Sequence, residues 1–95
     1  MRAQELPQWI DKEELSSITF HHTETEVENP LEIRRQLSKA LVLGNTDKHK
    51  VRITFDCDKG LKMVKTTIWS LGERHVVLKK GLTIPVDNII EVRLL

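Results

Sequence analysis

The sequence predicts an α+β domain: an N-terminal helical and extended segment packed on a five-stranded antiparallel small β-barrel. Three observations predict it. One stretch, "NPLEIRRQLSKALVLGN", carries apolar residues at helical spacing. From residue 50 onward the chain becomes a series of short apolar alternations broken by glycine, charged and proline turns. Ninety-five residues suffice for one core but not for two, so helix and strands share it. The single domain divides into an acidic N-terminal segment over 1–28, a helix over 29–44 and the barrel over 50–95.

The N-terminal segment opens with "LPQW", where Trp9 calls for something to cover it. Asp11 reads as a helix N-cap, with Glu14 at the capping-box position and Ile10 and Leu15 at the two positions of a hydrophobic staple. A short helix near 11–17 follows. "SITFHHTETEV" lacks helical periodicity and is rich in threonine, which predicts an extended run with Ile18, Phe20 and His22 pointing one way. In the main helix Asn29 caps, Pro30 occupies the first turn where its missing N–H costs nothing, and Gly44 ends the helix. Ile33, Leu37, Ala40 and Leu41 form its buried stripe, and "GNTDKHK" is a polar connector.

"KVRITFDC" alternates, with Val51, Ile53, Phe55 and Cys57 on one face and Arg52, Thr54 and Asp56 on the other. After the turn "DKG", the run "LKMVKTTIWSL" carries apolar residues on both parities. Such a strand is sandwiched or bends to serve two cores. "GER" turns into "HVVLK", and "KGL" turns into "LTI". Pro85 cannot donate to a ladder and ends that strand. "VDN" fits one tight turn before "IIEVRLL", with Ile90, Val92 and Leu94 on one face.

This order of a helix, then strands of which the second is long and bent, with one tight turn between the fourth and fifth, resembles the Sm-like, SH3-like small barrel over about residues 30–95. Gly60, "MVKTTIWSL" and "LTIPVDNIIEV" carry the resemblance, which is one of layout. Its turns read "DCDKG" and "KKGL" where Sm proteins place their RNA-binding loops, and "TIPVDN" where the bacterial host-factor branch carries a tyrosine-lysine-histidine element. A looser likeness is to Rof-like Rho-inhibitor proteins, small barrels that bind a protein partner. No functional residue of either family carries over.

Composition bounds the function. With 39% hydrophobic and 31% charged residues and no long apolar run, the chain reads as a globular protein that does not enter a membrane. The N-terminus shows no secretory signal, and a lone cysteine cannot form an internal disulfide, so a reduced, cytoplasmic setting is expected. Charge is uneven. Residues 1–33 hold eight acids against two bases, net −6, and residues 34–95 hold thirteen bases against six acids, net +7. Such a split suits an acidic arm folded over a basic surface, but the favoured expectation is that it serves only solubility and internal complementarity.

The candidate binding residues for nucleic acid or a partner are Lys50, Arg52, Lys62, Lys65, Trp69, Arg74, Lys79 and Lys80. Gathered on one surface, the seven cations would make an electrostatic footprint for phosphates. Against that, the chain has no tyrosine, two phenylalanines and two tryptophans, and single-strand binders need stacking platforms. Trp69 with Leu71 could form an exposed apolar patch, but the favoured expectation is that the N-terminal segment covers the tryptophans. His21 and His22, adjacent on a strand, face opposite sides and cannot share an ion. "DCDKG" lacks the ligand count of a calcium loop, and Cys57 reads as a buried structural thiol. Neither a phosphate-cradling glycine loop nor a nucleophile elbow is present. The expectation is a non-enzymatic module with no cofactor or metal and no catalytic residue. A protein is the first choice of partner and RNA the alternative, and the module is a monomer or a small homo-oligomer.

Overall fold

The computed structural model describes residues 6–20, 30–47 and 49–95, without the side chains of Lys12, Pro30 and Asp47. The fold is α+β, with one α-helix and two sheets among the described residues. Strand β1 (Gln8–Trp9) and a 3-10 helix (Lys12–Ser17) precede helix α1 (Pro30–Asp47). Strands β2 (Val51–Cys57), β3 (Gly60–Thr66), β4 (Ile68–Leu71), β5 (His75–Leu78), β6 (Thr83–Pro85) and β7 (Ile89–Leu94) follow. The first sheet has the order β1-β3-β2-β7 and the second β4-β5-β6. The expected five-stranded closed barrel is thus replaced by seven strands in two sheets that no hydrogen-bonded ladder closes among the described residues.

Two local causes account for the change. The long run breaks at Thr67, so its first half joins one sheet and its second half the other. The Thr67 carbonyl accepts the Lys79 N–H at 3.0 Å instead of a ladder partner, so the bend is held from outside the strand. The additional strand is β1, which lies parallel on β3 through Gln8↔Lys62 and Trp9↔Met63. All other pairings are antiparallel. Bulges interrupt β2–β7 at Thr54/Phe55 and β4–β5 between Ile68 and Ser70, where Trp69 is the extra residue.

The core follows the predicted alternation in β2, whereas in β7 the bulge skips Ile90 and buries Ile89 with Val92. Val51, Ile53, Phe55 and Cys57 are buried with Val64, Ile68, Val76, Leu78, Ile84, Ile89 and Val92, and α1 supplies Ile33, Leu37 and Ala40. Phe20 closes one end, its ring centroid 5.6 Å from that of Phe55. Ile18 packs there too, whereas His21, His22 and the Asn29 cap lie outside the described residues. The predicted capping box is present, with the Glu14 carboxylate accepting the Asp11 N–H at 2.9 Å. The turn it starts is a 3-10 helix.

Helix α1 does not end at Gly44 but runs on to Asp47. Gly44 is buried inside it, and a Cβ there would meet Thr67 Cγ2 at 3.0 Å and the Ile68 carbonyl oxygen at 3.2 Å. The glycine lets the helix approach the break between β3 and β4, and a packing role has displaced the expected terminating one. Among the described residues no helix is long and apolar enough to cross a membrane.

Candidate interaction surface

Arg52, Thr54 and Asp56 share the face of the four-stranded sheet opposite Val51, Ile53, Phe55 and Cys57, and of these three only Arg52 is partly exposed. The register sets Lys65 on β3 and Arg93 on β7 directly beside Arg52, which makes a row of three cations across the sheet. One carboxylate serves two of them: Glu91 accepts from Arg52 Nη2 at 2.8 Å and lies 3.6 Å from Arg93 Nε. Two polar atoms of this face, Arg52 Nε and Thr54 Oγ1, are buried without a hydrogen-bond partner. Arg93 is absent from the sequence-based candidates because its membership depends on strand register, which a single chain does not display.

The other candidates are dispersed. Lys50 precedes β2, and its carbonyl accepts the Leu95 N–H at 3.1 Å. Lys62 takes the opposite parity from Lys65, and its ammonium donates to Gln8 Oε1 at 2.8 Å. Arg74 lies exposed in the β4–β5 connection, its carbonyl bound by the Val86 N–H at 2.8 Å. Lys79 and Lys80 occupy the 3-10 turn Lys79–Gly81. Lys65 and Arg52 are neighbours, while Trp69 lies on the other sheet and Arg74 in its β4–β5 connection, so the eight predicted residues are spread over both sheets and their turns.

The tryptophans are not covered as expected. Trp9 is 54% exposed and Trp69 51%. Trp69 directly follows buried Ile68 and so faces the other side of the sheet, and it is the extra residue of the β4–β5 bulge. Trp9 lies on the parity of Met63, away from the core, and only one ladder holds it.

The acidic N-terminal segment does meet part of the basic surface. An open groove of about 580 Å³ is lined by Trp9, Ile10, Asp11, Glu13, Glu14 and Lys65. Beside it Glu13 Oε1 lies 3.4 Å from Lys80 Nζ. Lys80 has φ +71°, a left-handed backbone that costs a side-chain-bearing residue energy, and Gly81 follows with φ +78°.

Sequence reasoning also missed Arg34, whose guanidinium reaches from α1 to the Gly72 carbonyl at 2.9 Å and the Glu73 carbonyl at 3.0 Å, tying the helix to the β4–β5 turn. Cys57 is buried as expected. Its thiol donates to the Gly60 carbonyl at 3.3 Å, and desolvation pushes its pKa up. Among the described residues no group of three or more His, Cys, Asp or Glu is arranged to hold a metal ion.

No protein-family model, curated protein or solved structure matches this chain.

Proposed function

We propose that the chain is a non-enzymatic interaction module that binds a protein partner by strand addition. One observation carries the reading: the edge of β3 already accepts an extended segment of its own chain, over Gln8↔Lys62 and Trp9↔Met63, extended by the Ile10 N–H to the Met63 carbonyl at 2.9 Å. An edge that pairs with so short a strand offers the same hydrogen bonds to a longer one. The strand order supports an Sm-like or SH3-like kinship, with β3 and β4 taken as one bent strand and the 3-10 turn Val86–Asn88 before β7. A reduced, cytoplasmic setting accords with the single buried thiol. Nothing in the reading requires a cofactor, and it accommodates a monomer or a small homo-oligomer.

The test is selection from random extended peptides, followed by amide-resolved mapping of the binders. The reading expects perturbed amides along β1 and β3. Binders that leave both strands untouched would refute this mode of recognition.

RNA or another single-stranded nucleic acid is the second reading, favoured by the Lys65–Arg52–Arg93 row. Its test is a fluorescent single-stranded RNA titrated at low and near-physiological salt. Affinity that survives near-physiological salt and falls on Arg52→Ala or Lys65→Ala would promote it, and binding confined to low salt would retire it.

A further inference from the structure

We propose that the strap from Leu6 to Glu14 holds the place of an acidic, extended peptide, and that such a peptide lifts it and pairs with the same edge of β3. The inference rests on the protein-binding reading and names the chemistry of the partner.

Among the described residues the strap is anchored firmly at its Leu15 end. Leu15 is 5% exposed within the core, and Ile18 and Phe20 pack beside it. Upstream the attachment is superficial: Leu6 is 82% exposed, and β1 makes two residue pairs. The segment before Leu15 supplies none of the buried core residues, and lifting it releases one half-buried side chain, Ile10, from the edge of the core. Its attachments among the described residues include the Ile10 N–H to Met63, the Ile10 side chain at the core's edge, the Lys62–Gln8 hydrogen bond and the Glu13–Lys80 ion pair. Exposed pairs of that kind stabilise weakly, so the open state lies close in free energy to the closed one.

Charge identifies the competitor. The strap brings Asp11, Glu13 and Glu14 to a groove that Lys65 lines, and Lys80 closes on Glu13. An acidic strand reproduces both features, backbone pairing on β3 and carboxylates near Lys65 and Lys80. A basic strand meets repulsion once the strap has lifted. The ligand thus acts by taking over contacts that the chain already makes to itself, which is a population shift between closed and open forms.

The experiment uses the full chain and a fluorescent oligoglutamate peptide, with oligolysine as control. Ile10→Pro deletes the N–H that bonds Met63, trims the half-buried side chain at the core's edge, and leaves Leu15 and every lysine intact. The loss of one such bond from the closed state predicts about a fivefold gain in oligoglutamate affinity. Adding Lys65→Ala and Lys80→Ala should abolish the gain, and oligolysine should gain nothing. A folded Ile10→Pro variant with unchanged oligoglutamate affinity overturns the strap, as does a gain shared by oligolysine. Selected peptides that still map to β3 would leave the broader module reading standing in either case.

Amide exchange of the wild-type chain is the second measurement and survives any folding defect of the variant. Ile10 exchanging far faster than Ile53 supports local opening. Exchange of both at the global unfolding rate refutes it.

Discussion

Replacing Gly44 by alanine sets two effects of known sign against each other. In an unobstructed helix interior the change stabilises by about 0.8–1.0 kcal/mol, because alanine loses less backbone entropy on folding. Here the new Cβ would lie 3.0 Å from Thr67 Cγ2 and 3.2 Å from the Ile68 carbonyl oxygen. Carbon atoms rest at about 3.5–4.0 Å, so the methyl arrives roughly half an ångström too close. Neither neighbour yields freely: Thr67 is buried, and Ile68 is paired with Leu78 across β4–β5. Overpacking of this sort costs about 1–3 kcal/mol. The balance is a net loss of about 1 kcal/mol, or a fall in Tm of about 4–8 °C for a domain of this size. Urea unfolding followed by tryptophan fluorescence measures it. Asn45→Ala, at the exposed neighbouring position, isolates the propensity term and should stabilise by up to about 0.7 kcal/mol. If Gly44→Ala stabilises as much as Asn45→Ala or more, the helix has room to move off β4 and the packing argument fails.

Three further outcomes are expected. Lys80→Gly and Lys80→Ala both remove the ion pair to Glu13, but only glycine relieves φ +71°, so the glycine variant should be more stable by about 1 kcal/mol; equal stability would show that the turn relaxes without strain. The Cys57 pKa is raised above 9.0 by burial, so its contribution is fully present below pH 9.0 and is lost as pH rises through the folded-state value. Thermal stability should therefore fall more steeply above pH 9.0 in the wild type than in Cys57→Ala, and parallel profiles would contradict the burial argument. Arg34→Ala should speed exchange of the Gly72 amide, which bonds the His75 carbonyl at 2.8 Å, at a global cost of about 1 kcal/mol or less because the contact is exposed; an unchanged Gly72 rate would remove Arg34 from the turn.

The parts of the fold visible in the chain are those written in periodicity. The stripe Ile33–Leu37–Ala40 and the alternation of Val51, Ile53, Phe55 and Cys57 depend only on local geometry, and all seven residues are buried. Gly44 shows where local rules stop. A glycine after an apolar stripe signals a helix end when only the helix is considered, yet here the deciding contact is with Thr67 and Ile68, more than twenty residues further along. Trp69 fails for a related reason. Its expected cover depends on where the N-terminal segment docks, a long-range contact that local spacing does not display, and the indole is 51% exposed.

The candidate surface lies at the far end of that scale. A cation in a sequence is a charge without an address, and the register Lys65↔Arg52↔Arg93 supplies the address only after three strands have aligned. The −6/+7 charge split needed no register, because it belongs to whole segments and implied an acidic arm near basic residues from composition alone. The Glu13–Lys80 pair and the groove beside Lys65 now give that arm specific contacts. Lys79, next to Lys80 in the chain, spends its backbone N–H on the Thr67 bend. One short turn therefore joins the break between the sheets to the contact with the strap. A strap that lifts would first be felt at that turn, which makes the Lys79 amide, like that of Ile10, a site where opening should appear in exchange.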